Sequence, residues 1–119
     1  MNLFNTLSKP LQKALADLSF SNPTEIQEKS FKKILSGQDM VGIAQTGTGK
    51  TLAYALPILH QLNYSNQPHP RILILLPTRE LVSQVVKNIN AYSKYLSIRT
   101  VGVYGGTNIN TQKISVSGG

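Results

Sequence analysis

Ala44-Gln45-Thr46-Gly47-Thr48-Gly49-Lys50-Thr51 is the stretch that decides how this chain is read. An apolar segment, Met40 to Ile43, leads into it, and apolar residues at helical spacing (Leu52, Ala53, Leu56, Leu59) follow it. Strand, glycine-rich turn and helix in that order make a phosphate-binding loop. The N–H groups of such a turn and of the helix N-terminus converge on an anion without using any side chain. Gly47 and Gly49 carry no Cβ, so the chain can curl closely around phosphates. In that setting Lys50 reaches the β- and γ-phosphates and the Thr51 hydroxyl holds Mg2+. The usual pattern begins with glycine, and Ala44 stands there instead. The alternative is a glycine-rich hairpin turn, which calls for an alternating strand after it; the residues after Lys50 are spaced as a helix.

Upstream of the loop, Leu11, Ala14, Leu15 and Leu18 mark a helix with Ser8 as its N-cap. Phe20 to Pro23 breaks it. A second helix is expected from Thr24, where Thr24-Glu25-Ile26-Gln27 fits a capping box, and Gly37 is placed to end it in a left-handed conformation. Downstream, the helix after the loop contains Pro57, expected to bend it or shorten its last turn. Arg71 to Leu76 reads as a second strand whose unalternating aliphatic run predicts burial on both faces. A further helix is expected from Arg79 to about Tyr95, then a strand from Ile98 to Tyr104 closed by Gly105-Gly106. Strands alternating with helices imply an α/β fold: a parallel sheet with flanking helices and right-handed crossovers. Ligands bind such sheets beyond the carboxyl ends of the strands. Ala44-Gln45, Pro77-Thr78 and Gly105-Gly106 should therefore share one rim.

The 119 residues suit one small domain. Cysteine is absent, which excludes disulfides and thiol chemistry. The longest wholly aliphatic run, Ile72 to Leu76, is far short of a bilayer span, and no secretory signal is evident, so no membrane partner and a cytoplasmic location are expected. The formal net charge is +7. Residues 1–39 hold five Lys against four acids, whereas residues 40–119 hold seven Lys and Arg against Glu80 alone. That basic excess suits a polyanion, and equally a merely soluble basic surface. His60 and His69 have no Cys, Asp or Glu at metal-ligand spacing.

Several segments, taken in order, resemble those of DEAD-box ATP-dependent RNA helicases. Residues 19–27, with Phe20-Ser21-Asn22-Pro23-Thr24-Glu25-Ile26-Gln27, resemble the family's Q motif. Residues 44–51 resemble motif I, in which an alanine in first place is usual. Residues 77–81, Pro77-Thr78-Arg79-Glu80-Leu81, resemble motif Ia. Gly105-Gly106 with Gln112 six residues beyond resembles the next signature. The similarity spans roughly residues 4–114 and implies a P-loop NTPase of the RecA-like class, here the N-terminal part of the first RecA-like domain.

The resemblance implies ATP and Mg2+ as cofactors and RNA as partner. It places Lys50 and Thr51 at the catalytic centre, with Thr51 on the metal. Around the nucleotide it places Phe4, Phe20, Gln27, Gln45, Thr46, Gly47, Thr48, Gly49, Lys50 and Thr51. Gln27 would pair with adenine, since an amide offers a donor and an acceptor side by side; its alternative role is only to complete the capping box. Phe4 would stack on the base, or else serve as a staple beneath the first helix. Pro77, Thr78, Arg79, Gly105 and Gly106 would meet the RNA backbone, through contacts that carry no base sequence. The alternatives are an ion pair for Arg79 and a plain turn for the glycines.

ATP hydrolysis in this fold needs carboxylates that position Mg2+ and water, and after Asp39 the chain offers only Glu80. The family's Asp-Glu-Ala-Asp segment is not found, nor is a second domain. The expectation is a truncated helicase domain that binds ATP without hydrolysing it; the alternative is a non-catalytic nucleotide- or RNA-binding module. A sheet cut short leaves edges and an apolar face uncovered, so self-association is a further expectation.

Overall fold

A computed structural model describes residues 2–45, 49–62, 69–105, 110, 112, 113 and 116. A 3-10 turn at Leu3–Thr6 precedes α1 (Lys9–Asp17), α2 (Glu25–Leu35), α3 (Lys50–Gln61) and α4 (Arg79–Tyr92). The core lies among these helices. Leu11 and Leu15 of α1, Phe31 of α2, Leu52, Leu56 and Leu59 of α3, and Val85, Ile89 and Tyr92 of α4 close it, with Phe4 and Leu7 beneath α1. Each fully buried leucine of this kind stabilises the fold by about 1.5–3 kcal/mol. α2 packs most extensively on α3, and α4 bridges α1 and α3.

Each helix end has a local cause. Lys9-Pro10 opens α1 with proline in the first turn, where its missing N–H costs nothing. α1 closes with Phe20 N–H donating to Leu15 O at 2.9 Å and Ser19 N–H to Ala16 O at 3.0 Å. That double bond set forces Ser19 to φ 61°, a conformation glycine takes more cheaply. α2 closes with the same bonds, Gln38 N–H to Lys33 O and Gly37 N–H to Ile34 O, and there Gly37 takes the left-handed turn at φ 81° as expected. Glu25 in the first turn and Lys32 and Lys33 in the last complement the α2 dipole.

Pro57 does not end α3, which continues to Gln61. The proline removes the N–H that would pair with Ala53 O. Ser30 of α2 answers it: its hydroxyl, bonded to Ile26 O at 2.7 Å, also lies 3.4 Å from Ala53 O. His60 Nδ1 accepts from Ser8 N–H at 3.2 Å, so this histidine ties the head of α1 to the end of α3. Across the molecule, Tyr95 donates its phenol proton to Asp17, and that bond, ahead of nearby lysines, holds the Asp17 carboxyl below its ordinary value. No helix among the described residues is long and apolar enough to cross a membrane.

The expected sheet is the main difference. Segments 40–45, 71–76 and 98–104 follow one another as foreseen, yet no strand is assigned and no ladder hydrogen bond joins them among the described residues. A helix satisfies its backbone from within, whereas a strand needs a neighbour at its edge. Burial on both faces is likewise corrected. Ile74 and Leu76 pack against the helical core, but Leu73 and Leu75 are 81% and 83% exposed, and Val41 and Ile43 are 88% and 91% exposed. The helices cover one face of these segments only.

Candidate nucleotide and nucleic-acid site

The head of α3 is built around Gly49. Its φ of 81° and ψ of 31° are left-handed, and it is the N-cap residue from which Lys50 starts the helix. Space as well as backbone demands glycine, because a Cβ would collide with Gln27 Nε2 and press on Thr24. Gln27 is 4% exposed and both ends of its amide are engaged. Oε1 accepts from Thr24 N–H at 3.0 Å, the Gln27 half of the capping box, and Nε2 donates to Gly49 O at 3.3 Å. One side chain thus caps α2 and fastens the end of the glycine-rich turn. Thr24 Oγ1 lies buried beside Gly49 with no hydrogen-bond partner among the described residues.

Lys50 is exposed at the first turn of α3. The helix's first bond is Ala53 N–H to Gly49 O, which leaves the preceding N–H groups aimed outward at the positive end of the dipole. Burial raises the Tyr54 phenol above its ordinary value, and the neighbouring Thr51 hydroxyl offsets part of that rise. A left-handed glycine, outward amides, a lysine and a hydroxyl fit a nucleoside polyphosphate. Thr51 is the residue that would hold Mg2+, and no cluster of three His, Cys, Asp or Glu lies among the described residues. Thr46, Gly47 and Thr48, also expected at this site, lie outside the described residues; Ala44 and Gln45 precede them, with Gln45 exposed.

The two aromatic candidates differ in burial and line one cavity. Phe4 is 6% exposed within the core. Phe20 is exposed, with its ring tilted against Tyr92 at 6.5 Å between centroids. Both line an open cavity of about 380 Å³ shared with Gln12 and Ser19.

The second cluster lies at the head of α4. Pro77, Thr78 and Arg79 are all exposed. Thr78 caps the helix by accepting from Leu81 N–H at 3.2 Å. Arg79 lies over the ring of Tyr104, its guanidinium carbon 4.6 Å from the centroid. That contact brings the segment ending at Gly105 beside the head of α4; Gly106 lies outside the described residues. No local pattern singles out Tyr104. Its signal was only an aromatic next to the glycine pair, and the stacking depends on two segments 25 positions apart meeting in space.

The family model for the DEAD/DEAH box helicases matches residues 24–118. The chain belongs to that family. Among its relatives, the ATP-dependent RNA helicase DeaD of Haemophilus influenzae is 43% identical over 112 residues, 92% of this chain and 18% of that protein. The probable ATP-dependent RNA helicase DDX46 of Danio rerio is 42% identical over 110 residues, 89% of this chain and 11% of that protein. The chain thus spans under a fifth of these relatives' length. A DEAD box protein from the hyperthermophile Methanococcus jannaschii superposes over 99% of this chain and 32% of its own, with a TM-score of 0.88 at 32% identity. Prp28 of Chaetomium thermophilum, bound to ADP, covers 99% of this chain and 30% of its own, with a TM-score of 0.82 at 30% identity. The backbone therefore follows the RecA-like α/β course of these helicase domains, although its strand segments carry no ladder among the described residues.

Proposed function

We propose that this chain supplies the adenine-nucleotide site and part of the RNA-backbone surface of an ATP-dependent RNA helicase, and that these residues bind ATP without hydrolysing it unaided. The observation that carries the reading is Gly49, held left-handed by Gln27 so that the exposed Lys50 and the first amides of α3 face outward together. Lys50 would contact the β- and γ-phosphates, Thr51 would turn its hydroxyl from Tyr54 to Mg2+, and Gln27 would read adenine with the donor and acceptor capacity its two present bonds leave over. Thr51 would hold the metal, which would supply positive charge to offset that of the phosphates. Thr78, Arg79 and Gly105 would meet sugar and phosphate, independent of base sequence. A cytoplasmic location accompanies this reading, as does self-association through the exposed aliphatic residues at 41, 43, 73 and 75.

Binding of a fluorescent ATP analogue tests the reading. Lys50→Ala should weaken it roughly ten- to hundredfold, the worth of one charge-assisted bond, with helical circular dichroism unchanged. Unchanged affinity would sink the nucleotide site. Gln27→Ala should weaken ATP more than GTP. Equal weakening, with lost helicity at residues 24–35, would reduce Gln27 to its capping and tethering roles.

A further inference from the structure

The segment that ends at Gly105 is held by side chains at its last residues. Gln112 lays its amide along the backbone of Tyr104: Oε1 accepts from Tyr104 N–H at 3.0 Å and Nε2 donates to Tyr104 O at 2.9 Å. Exchanging both bonds with one residue is what an opposing residue does in a hydrogen-bonded antiparallel pair. Gln112 thus acts as a one-residue strand. The ring of Tyr104 is held separately, under the Arg79 guanidinium. One tyrosine is fixed at its main chain by residue 112 and at its side chain by the first residue of α4.

Gly105 comes next, and the fold itself does not ask for glycine there. Its φ is outside the left-handed region, and a Cβ would meet nothing within 4 Å. Gly49 is glycine for the protein's own sake; Gly105 is not. A bare, exposed main chain anchored through its neighbour suits a ligand that must come close to the backbone. Exposed Arg79 and the capped head of α4 border it, within the basic part of the chain.

We propose that Gln112 is a positioning residue for nucleic acid: through Tyr104 it fixes the Gly105 backbone and the Arg79 guanidinium as one preformed surface for a phosphodiester stretch of single-stranded RNA. The inference rests on the RNA-binding reading above and extends it to a residue that does not touch RNA.

The experiment titrates fluorescein-labelled single-stranded RNA with this chain across a salt series. Gln112→Met keeps the side chain's length and loses both bonds. It should bind RNA about tenfold more weakly, with a salt slope shallower by about one. Binding of an ATP analogue should stay as in the parent, and amide exchange at Tyr104 should change from protected to fast. If Gln112→Met binds RNA with the parent's affinity and slope, or weakens RNA and nucleotide alike, the positioning role is overturned. Tyr104→Leu provides a second arm that leaves the Gln112 bonds intact. It should also flatten the slope by releasing Arg79, and an unchanged slope counts equally against the proposal. Failure of the parent chain to bind RNA in a salt-dependent way is a separate outcome; it overturns the RNA reading, and this inference with it.

Discussion

Leu56 and Leu75 come from equally apolar stretches and have opposite fates. Leu56 in α3 is shut away from water, and Leu75 in the second aliphatic segment stands almost wholly in it. The difference lies in where each backbone finds its hydrogen bonds. α3 closes its bonds within twelve residues and needs company only for its apolar stripe, which α2 provides. The segments at 40–45, 71–76 and 98–104 can close theirs only with one another or with further strands. Helices of this fold thus form from local sequence, while its sheet is a collective property.

The largest expected effect breaks the comparison open directly. Leu56→Ala should cost about 2–5 kcal/mol in denaturant unfolding, because it empties a filled site. Leu75→Ala should change stability by less than about 0.5 kcal/mol, and Leu73→Lys with Leu75→Lys should lower association measured by sedimentation without loss of helicity. A large loss at Leu75 would mean that this face is covered in solution. Next in size is Gly49→Ala, which meets both a left-handed backbone and Gln27. It should cost roughly 1–3 kcal/mol and weaken ATP-analogue binding, whereas Gly105→Ala should leave the melting temperature unchanged. The smallest effect sharpens the comparison between helix ends. Ser19→Gly should gain, and Gly37→Ala lose, about 1 kcal/mol in thermal unfolding, since both positions take the same left-handed turn.

The helices were legible in the sequence because their signals are short-range. Ser8, Thr24 and Gly37 mark ends within a residue, and Leu11, Leu15, Leu52 and Leu56 declare the buried stripe. Motif Ia could be placed at a helix head because Thr78 is a capping residue before an apolar period. What stayed hidden depends on separate segments meeting. The Gln27 tether to Gly49 spans 22 positions, and nothing local distinguishes it from simple capping. Pro57 reads as a bend or a shortened last turn, and the hydroxyl that approaches the freed Ala53 carbonyl stays hidden because Ser30 belongs to another helix. The run Ile72 to Leu76 read as a twice-covered strand because composition reports what a segment would bury, not what is present to bury it.

That serine carries a mechanical consequence. With the Pro57 amide missing, Ser30 Oγ and Ala53 O form a pin between α2 and α3 at one fixed height. The single Ser30 hydroxyl proton serves Ile26 O at 2.7 Å first and reaches Ala53 O only at 3.4 Å, and sliding either helix by a turn, about 5.4 Å, would part that second contact. The two helices that carry Gln27 and Lys50 thus meet through a polar contact as well as through apolar packing, and both oppose shear between them.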